Sequence, residues 1–358
     1  MKKLLLLITL LFPTLVFAAD YRTDVIAKGL NHPWSIDFLP EGSYLVAMKS
    51  GEVHLITATG EVSEPIAGGP DTFFESQGGY FDILLDPDYS TNQLVYLSYA
   101  GGTSEANATT IMKATLNNNA FENTETIFTA SPTKATPAHY GGKMHFLPDG
   151  TLLVTTGDGF EYREAPQDTN SHLGKLIRIN TDGSVPADNP FVNGGGDPKV
   201  YSYGHRNPQG LDLGPDGKIY LHEHGPKGGD ELNLISKGAN YGWPAVTYGD
   251  NYSGAYVSPL KQAPGTVQPL HYWVPSIAPS GLLVYSGKMF PEWQGDFLVG
   301  ALVNNEVRHL DLQGDIIGSE QALFSELGER IRDIREAPDG SIFILTDGEK
   351  GSLVRISR

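Results

Sequence analysis

The sequence has no cysteine, so no disulfide can hold the fold, and a packed core or bound metal must do so instead. Basic residues are scarce: 25 Lys and Arg stand against 42 Asp and Glu, a formal charge of −17. That balance excludes non-specific binding to nucleic acid or anionic lipid, both of which need a basic surface. Beyond residue 20 no apolar run is long enough to span a bilayer, and no long capped helical period supports a doubly wound α/β fold. A Walker loop, a Gly-x-Ser-x-Gly elbow and a strand-helix dinucleotide motif are also absent. Common nucleotide enzymes and α/β-hydrolases are thereby disfavoured.

What is abundant is turn chemistry. The 358 residues include 42 Gly and 24 Pro, yet the hydrophobic fraction is 40% and the aromatic fraction 10%. Collagen-like, coiled-coil and disordered chains do not combine those values. Short apolar runs between many tight turns point to an all-β protein.

The first residues read as a targeting segment. Lys2 and Lys3 precede an almost wholly apolar stretch from Leu4 to Phe17, and Val16 and Ala18 suit cleavage ahead of Ala19. We expect residues 1–18 to be a signal peptide and residues 19–358 a single exported domain, periplasmic in a bacterium, with no membrane insertion after cleavage. Loss of Lys2 and Lys3 leaves 23 basic residues against 42 acids, a mature charge of −19.

One unit recurs along the rest of the chain. An apolar strand, a Pro-acid-Gly turn and a second strand appear around Pro40-Glu41-Gly42, Pro148-Asp149-Gly150, Pro215-Asp216-Gly217 and Pro338-Asp339-Gly340. Looser copies begin at Ile83 and Gly281, making six. In each, Pro presets φ, the acid bonds back to the backbone and Gly accepts a positive φ. A lone four-stranded unit cannot bury both of its faces, whereas six arranged radially can. The repeats therefore predict a six-bladed β-propeller of four-stranded antiparallel blades, closed by a strand over Tyr21 to Ile26 that completes the last blade. A β-sandwich with coincidental turns is the competing architecture.

Four polar segments follow the repeated strands, where propeller loops converge. His139-Tyr140-Gly141-Gly142 and Thr156-Gly157-Asp158 flank one hairpin, so His139 and Asp158 either meet as an oriented base and its carboxylate or remain an unrelated loop His and turn Asp. Arg206, between Gly204-His205 and Asn207-Pro208, is presented on a loop and suits a carboxylate or a developing oxyanion, unless it is simply solvated. His222 and His224 share a strand face but lack a third ligand at a recognised spacing. The glycine-rich loop after them, with Asp230 and Glu231, offers oxygens that fit calcium better than zinc. Arg330 and Arg332 lie two apart and project together, either as an anion site or as partners in surface salt bridges.

In this order on six repeats, these segments resemble the soluble quinoprotein glucose/sorbosone dehydrogenase family, closest to the bacterial periplasmic aldose sugar dehydrogenases. The likeness spans about residues 25–357 and is most specific at 76–79, 139–142, 204–210, 223–243 and 330–333. The resemblance implies oxidation of an aldose at C1 to a lactone, with hydride passing to pyrroloquinoline quinone (PQQ) and onward to an unidentified electron acceptor. By it, His139 is the general base, Asp158 orients it, and Arg206 and Asn207 contact the quinone. Gln77 would touch the cofactor from the second blade, and Arg330 and Arg332 would face its carboxylates. Carbonyls of Gly225 and Pro226 would hold a catalytic Ca2+, with Glu231 and the Tyr241 carbonyl binding a second, structural one. One departure stands out: Val303 occupies the place of a cofactor-binding Lys. It motivates an alternative, a propeller that has lost PQQ and catalysis. A calcium-dependent lactonase on the same fold is a further alternative and would need side-chain carboxylates around a central calcium.

Overall fold

The structure is a computed structural model that describes residues 21–358; the expected signal peptide lies outside them. The described chain is nearly all β and forms the six antiparallel sheets of a six-bladed propeller. Five blades have four named strands. The first has three, Pro33–Phe38, Tyr44–Met48 and Glu52–Ile56, extended at its outer edge by a single bridge from Ile56 to Val62. The ring closes as expected: Arg22–Leu30 pairs antiparallel with Gly351–Ser357 and joins the sixth blade, tying the two ends of the described chain together.

The innermost strands are Pro33–Phe38, Tyr80–Leu85, Gly141–Phe146, Pro208–Leu213, Pro279–Val284 and Ile331–Glu336, and each packs on its neighbours around the ring. Second strands such as Leu152–Thr156 and Phe297–Ala301 are buried along their whole length, because a blade lies on either side. That is why they read as unbroken apolar runs without polar alternation. Six hydrophobic clusters each join two adjacent blades, so the core is distributed between the blades.

The repeated turn behaves as its residues require. At 147–151 the Leu147 N–H donates to the Thr151 carbonyl at 2.8 Å, Asp149 Oδ1 accepts the Thr151 N–H at 3.0 Å, and Gly150 takes φ 81°. Carboxylates on the inner strands then lock blade to blade. Asp37 accepts the Leu85 N–H at 2.7 Å, Asp82 that of Met144 at 2.8 Å and Asp212 that of Val284 at 2.7 Å.

An ionic network closes the middle of the channel. Lys143 pairs with Asp333 at 2.9 Å, and Arg335 pairs with Asp82 at 2.8 Å. Burial alone would raise the Asp82 carboxyl, but Lys143 and Arg335 outweigh it and hold the group below its usual range. The network separates two cavities, one at the start of the inner strands and one at their far ends.

Candidate active site

The loops entering the inner strands build the mouth of the channel. Four of them contain a non-glycine residue at positive φ: His32 at 50°, Ser76 at 49°, His139 at 51° and Ala278 at 51°. Such left-handed geometry is costly away from glycine and concentrates where side chains must be aimed. After His139 the backbone passes so close to Phe81 that a Cβ on Gly142 would lie 2.6 Å from that ring, which explains the glycine there.

His139 and Asp158 meet. The His139 Nδ1–H donates to Asp158 Oδ1 at 2.6 Å, and the His139 backbone N–H donates to Gln77 Oε1 at 2.8 Å. The same Asp158 oxygen accepts the Phe160 N–H at 2.8 Å, while Oδ2 accepts the Trp243 indole N–H, also at 2.8 Å. His139 is only 5% exposed, and burial, reinforced by Arg206, pushes its pKa down to about 4 against the opposing pull of Asp158. Burial raises the Asp158 carboxyl, but His139 and Arg206 more than reverse this and leave it below its ordinary value. At neutral pH the imidazole is therefore neutral, its proton on Nδ1 and its Nε2 lone pair available.

Arg206 is buried beside this pair. Its guanidinium lies 5.2 Å from the Trp243 ring centroid and donates to the Gly225 carbonyl at 2.6 Å and the His224 carbonyl at 3.0 Å, while its Nε is buried without a partner. Asn207, next in the chain, lines the mouth cavity of about 320 Å³ together with Gln77, Arg330 and Arg332. Both arginines therefore point inward, although they are not free: they share Asp347 Oδ2 at 3.1 and 3.2 Å. Arg332 stacks 3.7 Å from the Trp34 ring centroid, and its Nε is buried with no partner. With Lys49 also on the wall, three cations face one carboxylate there, a positive patch in a strongly acidic protein.

Gly225, Glu231 and Tyr241 line one small neighbouring cavity, whereas Pro226 packs outside it against Gly249. Glu231 pairs across the sheet with Glu223, and burial and that like charge drive its carboxyl well above its usual range. Among the described residues no three His, Asp or Glu side chains gather as a metal site, so any ion here would lean on backbone carbonyls. Asp230, read from the sequence as a source of cation ligands, is instead a staple. One oxygen accepts the Gly225 N–H at 2.9 Å; the other accepts Ser276 Oγ at 2.6 Å and the Ile277 N–H at 2.9 Å. His222 is fully buried with neither ring nitrogen bonded, and His224 donates to the Pro279 carbonyl at 2.7 Å; they form no metal pair.

Sequence reasoning missed Trp243, Trp34 and Lys49 as parts of the site. Trp243 lay inside a recognised stretch, but the other two carried no local signal. Val303 is 61% exposed, and the cavity wall is made instead by Leu302 beside it. Tyr272 is exposed and stacks on Tyr248 with centroids 3.9 Å apart, while Trp273 turns into the core.

Comparison with known proteins bears on the fold and the family. The glucose/sorbosone dehydrogenase family model matches residues 30–355. An aldose sugar dehydrogenase of Escherichia coli K12, YliI, is 36% identical over 95% of this chain and 93% of its own. A crystal structure of a glucose dehydrogenase superposes with a TM-score of 0.90 at 42% identity, covering 93% of this chain and 99% of that one. The PQQ-bound form of an aldose sugar dehydrogenase from Streptomyces coelicolor gives 0.78 at 26% identity, covering 95% and 99%.

Proposed function

The chain belongs to the glucose/sorbosone dehydrogenase family and is an oxidoreductase; from that premise we propose that it is a PQQ- and calcium-dependent dehydrogenase oxidising aldoses at C1 to lactones. The observation that carries the proposal is the buried His139–Asp158 pair beside a cavity with excess positive charge.

The residues present fit the cofactor. A space of about 320 Å³ suits a small planar molecule. The partnerless Arg332 Nε and the cations around it suit a tricarboxylate. When bound, PQQ supplies the two-electron acceptor for the sugar's C1 hydride. Gln77, Asn207, Arg330 and Arg332 would hold it. His139 Nε2 takes the proton of the anomeric hydroxyl, and Asp158 keeps the opposite ring nitrogen protonated so that this lone pair faces the substrate. Trp243 fixes the carboxylate from the other side and carries Arg206 on its face.

The Gly225 and Pro226 carbonyls would hold the catalytic calcium, which when bound polarises the acceptor. Arg206 now bonds the Gly225 carbonyl and would share it. Glu231 and the Tyr241 carbonyl are hard oxygen donors, and a cation there would relieve the repulsion between Glu231 and Glu223. We assign the mature protein to the periplasm on its leader sequence, with electrons leaving to an acceptor outside this chain.

A lactonase would need carboxylates free to ligate calcium in the channel, and Asp82 and Asp333 are instead tied to Arg335 and Lys143. The deciding experiment adds PQQ and calcium to the apo-protein and follows dye reduction with a panel of aldoses. Reduction dependent on both additions supports the assignment; none at saturating PQQ removes it.

A further inference from the structure

We propose that Lys49 of the first blade supplies the cation that Val303 fails to provide, binding a carboxylate of the quinone cofactor; the inference rests on the quinoprotein reading above. The sixth blade carries both cavity arginines and has the fifth blade on one side and the first on the other. A cation rising from the first blade therefore flanks Arg330 and Arg332 from the side opposite to the fifth-blade position.

Lys49 is built for that place. It directly follows the buried strand Tyr44–Met48, and its backbone is pinned on both sides: its N–H donates to the His32 carbonyl at 3.0 Å, and its carbonyl accepts the Tyr80 N–H at 3.2 Å. The stem packs so closely against Gly79 that a Cβ there would lie 2.8 Å from Lys49 Cγ. The ammonium donates to the Ser76 carbonyl, 5.4 Å from the Trp34 ring centroid, and lines the same cavity as the arginines. It pairs with no carboxylate among the described residues, because nearby Asp347 is already shared by Arg330 and Arg332. Trp34 thus carries cations from two blades, Arg332 and Lys49. On the far side, Val303 donates its N–H to the Ile277 carbonyl and leaves its side chain outside the cavity.

The test is the dissociation constant of PQQ for the calcium-loaded apo-protein, read by quenching of tryptophan fluorescence at fixed ionic strength. Lys49→Met should weaken binding about ten- to a hundredfold, the value of one charge-assisted bond. Lys49→Arg should stay near wild type, and adding Val303→Lys to the Lys49→Met protein should restore part of the loss. Lys49→Gln repeats the comparison if Met disturbs the packing on Trp34, and the apo melting temperature checks the fold of each variant. Unchanged affinity in folded Lys49→Met and Lys49→Gln proteins overturns the role of Lys49 while leaving the quinone assignment standing. Failure of the wild-type protein to bind PQQ overturns that assignment, and this proposal with it.

Discussion

Asp158 holds His139 through one carboxylate oxygen and leaves the other to Trp243, so a single acid fixes both the tautomer of the base and the indole on which Arg206 rests. Replacing Asp158 with Asn keeps the shape but offers an N–H or a carbonyl where only an acceptor is useful. We predict that kcat for aldose oxidation falls about 10²- to 10⁴-fold while the PQQ dissociation constant stays within a few-fold. Steady-state dye reduction and PQQ titration on the same preparation check the split.

The pH response follows from the depressed imidazole. With its pKa near 4, His139 stays unprotonated through the ordinary working range, so the acidic limb of the rate profile should not appear until close to that value. Stability moves in the same direction. The unfolded imidazole titrates near 6.5 and the folded one near 4, so the unfolded chain takes up the proton first as pH falls. The His139 contribution is complete above 6.5 and is lost between there and 4; buried His222, lowered to about 3, adds to the slope. Urea midpoints at pH 7.5 and 4.5 should therefore differ, and His139→Asn should narrow the difference.

The channel network offers a test that does not depend on function. Lys143→Met leaves Asp333 with only the longer ion pair to Arg335 at 3.4 Å, beside the Ile36 N–H, and removes one of two cations near Asp82. Breaking a buried pair from one side costs about 3–5 kcal/mol, so the melting temperature should drop by several degrees. An unchanged melting curve would mean that the network is solvated and does not close the channel.

Strand Arg22–Leu30 is the clasp of the ring. A protein beginning at residue 31 loses the pairing to Gly351–Ser357 and exposes an edge along buried Leu353 and Val354. We predict aggregation or a melting temperature at least about 10 °C lower, with partial recovery when a peptide spanning residues 21–31 is added.

Features written in contiguous residues were legible. The Pro-Asp-Gly turn is local chemistry, so spacing alone gave the blades, and the closing strand read over Tyr21 to Ile26 runs on to Arg22–Leu30 in the structure. The meeting of His139 and Asp158 was one of two readings the residues left open, favoured by the resemblance; the hairpin of Gly141–Phe146 and Leu152–Thr156 that joins them makes it possible. Trp34, Lys49 and Arg332 were not legible as a group: Arg332 stands some three hundred residues beyond Trp34, and only ring closure brings the two within 3.7 Å. Asp230 misled for a related reason. A glycine-rich acidic loop reads as cation-binding, whereas its oxygens are filled by the backbone at 277–278, far along the chain. The unoccupied Lys position at Val303 read as a deficit because a cation arriving from another blade leaves no mark in the local sequence.

The most direct measurement compares wild-type protein with His139→Asn, both loaded with PQQ and calcium to equal occupancy by spectrum, for lactone formation from an aldose. The account predicts turnover by the wild type and a loss of at least about a hundredfold in the variant at unchanged cofactor content. Equal rates in the two proteins would contradict it, as would a fully loaded wild type that oxidises no aldose.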